Sequence, residues 1–118
     1  MDELVAQIAA NTGVDPALAR QAVGIILKFL LNEGPEIKVQ ALIDALPGAS
    51  DASQAIANAP EIGGSGIMDA FNALSSAGLG MSDIQGVTQE FLAFAKSRVG
   101  DNMVDEIVGS IPGLNQIV

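Results

Sequence analysis

The side chains that most often carry catalysis are missing from this sequence of 118 residues, which contains no histidine and no cysteine. Proton transfer usually leans on His, and covalent catalysis on Cys or on a Ser held beside a base. Only Asp, Glu, Lys and Ser remain. The densest acidic group is Asp101, Asp105 and Glu106, at the start of one helical pattern. Calcium and magnesium need six or more oxygens, and no loop here has the D-x-D-x-D-G spacing. Acids at a helix start instead favour the positive end of its dipole. These three residues therefore read as capping groups. The expectation is no catalytic residue, no metal and no cofactor, in a protein that is not an enzyme.

Two further stretches have the outline of a site. EIGGSGI, residues 61–67, is a glycine-rich loop ahead of a helix, the general recipe for holding an anion on backbone N–H groups. It lacks the GxxxxGK[ST] pattern, carries no Lys or Arg, and follows no strand, so it reads as a hinge. IAANTGVDPALARQAV, residues 8–23, has the shape of a helix-turn-helix. A DNA reader needs basic and amide side chains at the exposed start of its second helix, and here there are only Arg20, Gln21 and Lys28. Five basic against fourteen acidic residues leave a net charge of −9, which opposes approach to phosphate backbones and anionic membranes. Nucleic acid is not an expected partner. MDELVAQIAANTGVDPALARQAVGIILKFL resembles the N-terminal helical pair of the HU family of bacterial architectural proteins. The resemblance covers about thirty residues around the Gly13 turn and implies a helical scaffold. That family grips DNA with basic β-arms, which have no counterpart here, so its DNA function does not carry over.

The elements that must position any site are helices. Leu4, Val5, Ile8 and Ala9 recur at helical spacing before Gly13, a stop signal. Asp15-Pro16 is an N-cap followed by the residue best tolerated at the first helical position, which predicts a helix to about Asn32, ahead of Gly34-Pro35. Its apolar residues from Ala22 to Leu31 cover about two-thirds of the circumference, which predicts the buried centre of the fold with Lys28 on its one polar sector. Val39, Leu42, Ile43 and Leu46 form a narrower stripe that ends at Pro47-Gly48. Residues 49–66, rich in Ala, Gly and Ser, predict a mobile connector with one short, weak helix and few buried contacts. Ile67, Met68, Phe71 and Leu74 restart a stripe closed by Gly78. Ser82 with Gln85 reads as a capping box for a helix lined by Ile84, Val87, Phe91, Phe94 and Ala95. Asp101 is expected to cap a last helix with Val104, Ile107, Val108 and Ile111 inward, ending at Pro112-Gly113.

A displacement of 65 residues brings Gly13 onto Gly78, Leu27 onto Leu92, Phe29 onto Phe94, Val39 onto Val104 and Pro47-Gly48 onto Pro112-Gly113. Ile26 meets Phe91, Leu42 meets Ile107 and Ile43 meets Val108, with no gap required. The pattern predicts two copies of a three-helix unit, residues 2–48 and 67–114, packed with pseudo-two-fold symmetry. The fold class is then all-α, a single-domain bundle of six to seven short helices. The chain also resembles small bacterial all-helical proteins of unknown function, through GLG at 78–80, FLAFAKS at 91–97 and the proline-glycine endings. That resemblance brings no activity with it.

The longest apolar run, GIILKFLL at 24–31, is too short to span a bilayer, and the start MDELVAQ carries acids where a secretory signal needs bases. The expected location is the cytoplasm. With aromatics at only 3% of the chain, the phenylalanines are the largest apolar anchors. Two roles fit. One is a protein-protein interaction or assembly module, by self-association or by binding a partner helix. The other is a carrier of an apolar or lipid-like molecule in a cavity between the two units. Phe29, Phe91, Phe94, Phe71 and Met68 are the candidate surface for either role.

Overall fold

The Asp15 carboxylate accepts the Ala17 N–H at 2.9 Å and starts the helix that everything else surrounds. In the computed structural model, which describes residues 2–34, 36–45, 49–59 and 67–110, the elements are α1 (Asp2–Thr12), α2 (Pro16–Glu33), α3 (Glu36–Ala45), α4 (Ala49–Asn58), α5 (Ile67–Ser76), α6 (Met81–Val99) and α7 (Asp101–Ser110). The described residues form an all-α single domain with no strand. Helix α2 touches α1, α3, α4, α5 and α6, and Ala22 through Leu27, with Phe29 and Leu30, are buried. A helix apolar over most of its surface has to be enclosed in this way. Gly13 ends α1 with φ +76°, a conformation that disfavours any side chain, and its N–H reaches the Ala9 carbonyl at 3.0 Å.

Helix α4 corrects the expectation for residues 49–66. Its Ala52, Ala55 and Ala59 are buried, and it runs along α2 and also touches α3. A Cβ added to Gly24 would stand 2.4 Å from the Ala55 carbonyl oxygen. The residues that give α4 little apolar area to bury are also those that let two backbones approach this closely, so small side chains here produce intimate packing rather than looseness. Residues 60–66, including most of the glycine-rich EIGGSGI stretch, lie outside the described residues.

Lys28 is not on an open polar sector either. It is half-buried, and its Nζ donates to the Ala59 carbonyl at 3.4 Å, just past the end of α4. Sequence spacing alone would let Glu replace it. In the structure a carboxylate would face the carbonyl end of a helix, so Lys28→Glu should cost about 1 kcal/mol in urea denaturation. Lys28→Met, which keeps the stem, should cost less. A Lys28→Glu protein as stable as the parent would show that the contact with α4 is immaterial.

Two caps also shift. Helix α6 begins at Met81 after Gly80, and the Gly80 N–H is taken by Asp83 Oδ2 at 3.4 Å, so the expected Ser82–Gln85 box lies inside the first turn. Gly100, at φ +91°, precedes α7, which leaves Asp101 as the first helical residue, not the cap.

The helix boundaries recur at the 65-residue displacement. Helices α1, α2 and α3 begin at residues 2, 16 and 36, and α5, α6 and α7 at 67, 81 and 101. Contacts cross over, with α1 on α6 and α5 on α2. Equivalent positions are buried in both sets: Ala22 and Val87, Ile26 and Phe91, Phe29 and Phe94, Val39 and Val104, Leu42 and Ile107. Leu46, both proline-glycine pairs and Ile111 lie outside the described residues.

Candidate apolar site between α2, α5 and α6

Three of the five candidate apolar residues meet. Phe29 from α2, Phe71 from α5 and Phe91 from α6 line one small cavity together with Ile26, Leu30 and Leu74. The amphipathic stripe of α5 directs Ala70 and Leu74 inward, and Phe71, one position round, stays half-buried at the mouth. The cavity measures about 20 Å³, room for a single water and no more. Its one polar neighbour, Thr88, already donates its hydroxyl to the Ile84 carbonyl at 2.8 Å. Nothing in the lining offers a nucleophile or a proton donor. Phe91 is fully buried and acts as the centre of the core. Interiors are normally close-packed in this way.

The other two candidates stand elsewhere. Phe94 is buried on α6 with the Arg98 guanidinium 4.9 Å from its ring centre, a cation-π arrangement that covers the ring. Met68 is 62% exposed on α5, one helical turn before Phe71. Met68 and Phe71 therefore share a face whose inner edge is the apolar cavity.

The acids take structural partners. Asp105 pairs with Lys96 at 3.9 Å, and Glu106 pairs with Lys38, tying α7 to α3. Arg98 donates to Glu3 at 2.8 Å. Glu90 accepts from Gln7 and Asn11 at 3.1 and 3.0 Å, which holds α1 against α6. Among the described residues no group of acids is arranged to hold a metal ion. Arg20 and Gln21, on the second helix of the helix-turn-helix outline, line a cleft with Gln54 and Asn58 of α4. That face of α2 is turned toward another helix of the same chain.

Ile37, which the sequence reading passed over, is 86% exposed on α3 beside Glu36 and Gln40. The signal was available, because Ile37 falls on the side of the helix away from Val39, Leu42 and Ile43. A groove between α6 and α7 was also missed, since its walls come from positions whose burial depends on how two helices cross. No helix among the described residues is long and apolar enough to cross a membrane. In comparisons with known proteins, the chain matches no protein-family model, no curated protein and no solved structure.

Proposed function

We propose that this protein is a non-enzymatic protein-protein interaction module, built by duplication of a three-helix unit, with Met68 and Phe71 as its contact face. The observation that carries the reading is the exposure of Met68 one turn from a half-buried Phe71 at the mouth of an apolar cavity. Apolar anchors next to a pocket are what binding hot spots are made of, and methionine adapts its shape to a partner. A net charge of −9 favours a partner whose apolar residues are flanked by basic ones. The duplication rests on helix starts and buried positions that recur at one displacement. The carrier reading draws less support, because a cavity of about 20 Å³ must open widely before it holds a lipid-like molecule.

Native mass spectrometry of the protein purified from its own cells tests this reading. The expected result is a mass that includes a second polypeptide, either a copy of the chain or another protein. Met68→Asp should weaken that complex at least about tenfold while leaving the helical content unchanged. A single chain retaining a small apolar molecule would favour the carrier reading instead. A bare single chain at every concentration would overturn the module.

A further inference from the structure

The crossed arrangement of the two three-helix sets leaves one position unfilled among the described residues. Helix α4 lies on α2 and α3 and covers Gly24, Leu27, Val39 and Ile43, which are all buried. The same displacement carries that seat to the groove between α6 and α7. Leu92 and Val104 form its floor, and Gln89, Ala93, Lys96 and Val108 form its walls, around about 350 Å³. No described helix covers it. Leu92 and Val104 are buried, Val108 is half-buried, and Ala93 is exposed, so an apolar floor is open to water at this place.

The seats differ at one position, and the difference says what would fit. Helix α4 reaches its close approach only because residue 24 is glycine. The equivalent residue on α6 is Gln89, whose side chain keeps a covering segment further away. Such a segment must reach the floor with side chains larger than alanine. The chain beyond α7 reads IPGLNQIV, residues 111–118. Its Leu114, Ile117 and Val118 have the i, i+3, i+4 spacing of one helical face, and all are larger than the alanines of α4. In sequence this stretch follows α7 through Pro112-Gly113 as α4 follows α3 through Pro47-Gly48. Asp105 and Val108 of α7 already line the groove, so a link of four residues, spanning at most about 14 Å, starts close to it. A segment attached at that distance has a high effective concentration at the groove and outcompetes the same sequence free in solution.

We propose that residues 114–118 are the counterpart of α4 and seat Leu114, Ile117 and Val118 in the α6–α7 groove. This closes the second apolar seat within one chain and leaves the Met68–Phe71 face for partners. The assignment is independent of what binds that face.

The absence of cysteine makes disulfide trapping a clean test in the full chain. Ala93→Cys combined with Ile117→Cys should cross-link within one chain at least about tenfold faster than Ala57→Cys combined with Ile117→Cys, because only the first pair is brought within disulfide reach. Ala57 is exposed on α4, so the control pair leaves the core untouched. Adding Leu114→Asp to the first pair should slow it to the control rate. Equal rates for the two pairs would overturn the proposal. Cross-linked dimers from the first pair would overturn it as well, since the groove would then take the segment from a second copy.

Discussion

Ile26→Asp is expected to abolish cooperative unfolding, while Ile37→Asp should leave it nearly unchanged. Ile26 is 8% exposed on the central helix and lines the cavity with Phe29, Phe71 and Phe91. No base lies among those neighbours. An unpaired carboxylate there costs several kcal/mol against a total stability of about 5–15 kcal/mol for a domain of this kind. Ile37 is 86% exposed, where a substitution changes stability by about 0.5 kcal/mol or less. Urea titration followed by circular dichroism measures both. The comparison holds the chemistry of the substitution constant and varies only burial. Equal losses at the two positions would mean that α2 and α3 are turned about their axes from the phases described.

The second large effect is expected at Gly24. A Cβ there meets Ala55 O at 2.4 Å and Ala55 C at 2.8 Å. Both are backbone atoms, which cannot swing aside as a side-chain end can. Gly24→Leu therefore has to push α4 off α2, which exposes Ala52, Ala55 and Ala59 and breaks the contact of Lys28 with Ala59. The expected loss is about 1–3 kcal/mol, concentrated in one element. Hydrogen exchange should show the amides of residues 52–59 losing protection at least about tenfold, while those of Val87 to Ala95 on α6 change little. Gly109→Ala is the matched control. Nothing lies within 4 Å of a Cβ at Gly109, and replacing a helical glycine by alanine should stabilise by up to about 1 kcal/mol. Unchanged protection of α4 in Gly24→Leu would show that the close approach is not what holds it.

The candidate site was legible only in part. Phenylalanine was the right residue type to follow in a chain so poor in aromatics, and Phe29, Phe71 and Phe91 do converge. Periodicity reports which side of a helix is apolar, but not which neighbour that side meets. Phe94 was therefore indistinguishable in sequence from Phe91, although one sits beneath Arg98 and the other fills the core. Met68 was legible as an apolar residue on the α5 stripe. Its exposure was not, since that depends on where α5 ends relative to α2 and α6.

The sequence by itself determined that this chain is an all-α bundle, where most of its helices begin and end, and that one helix is central. These properties follow from local physics. The Asp15-Pro16 start and the Gly13 stop act within a single turn, and a helix as apolar as α2 must be enclosed whatever surrounds it. The 65-residue recurrence was also visible, because it is a property of spacing. Only the tertiary structure decided the fate of the alanine-rich middle. By composition, Ala52, Ala55 and Ala59 offer too little area to fix a helix, and they become a packed surface only because Gly24 lies opposite and removes the last atom between two backbones. Complementarity of that kind belongs to a pair of residues 31 positions apart, and neither carries a mark of it alone. The same holds for Lys28, which spacing places on a polar sector and which the approach of α4 converts into a contact between helices.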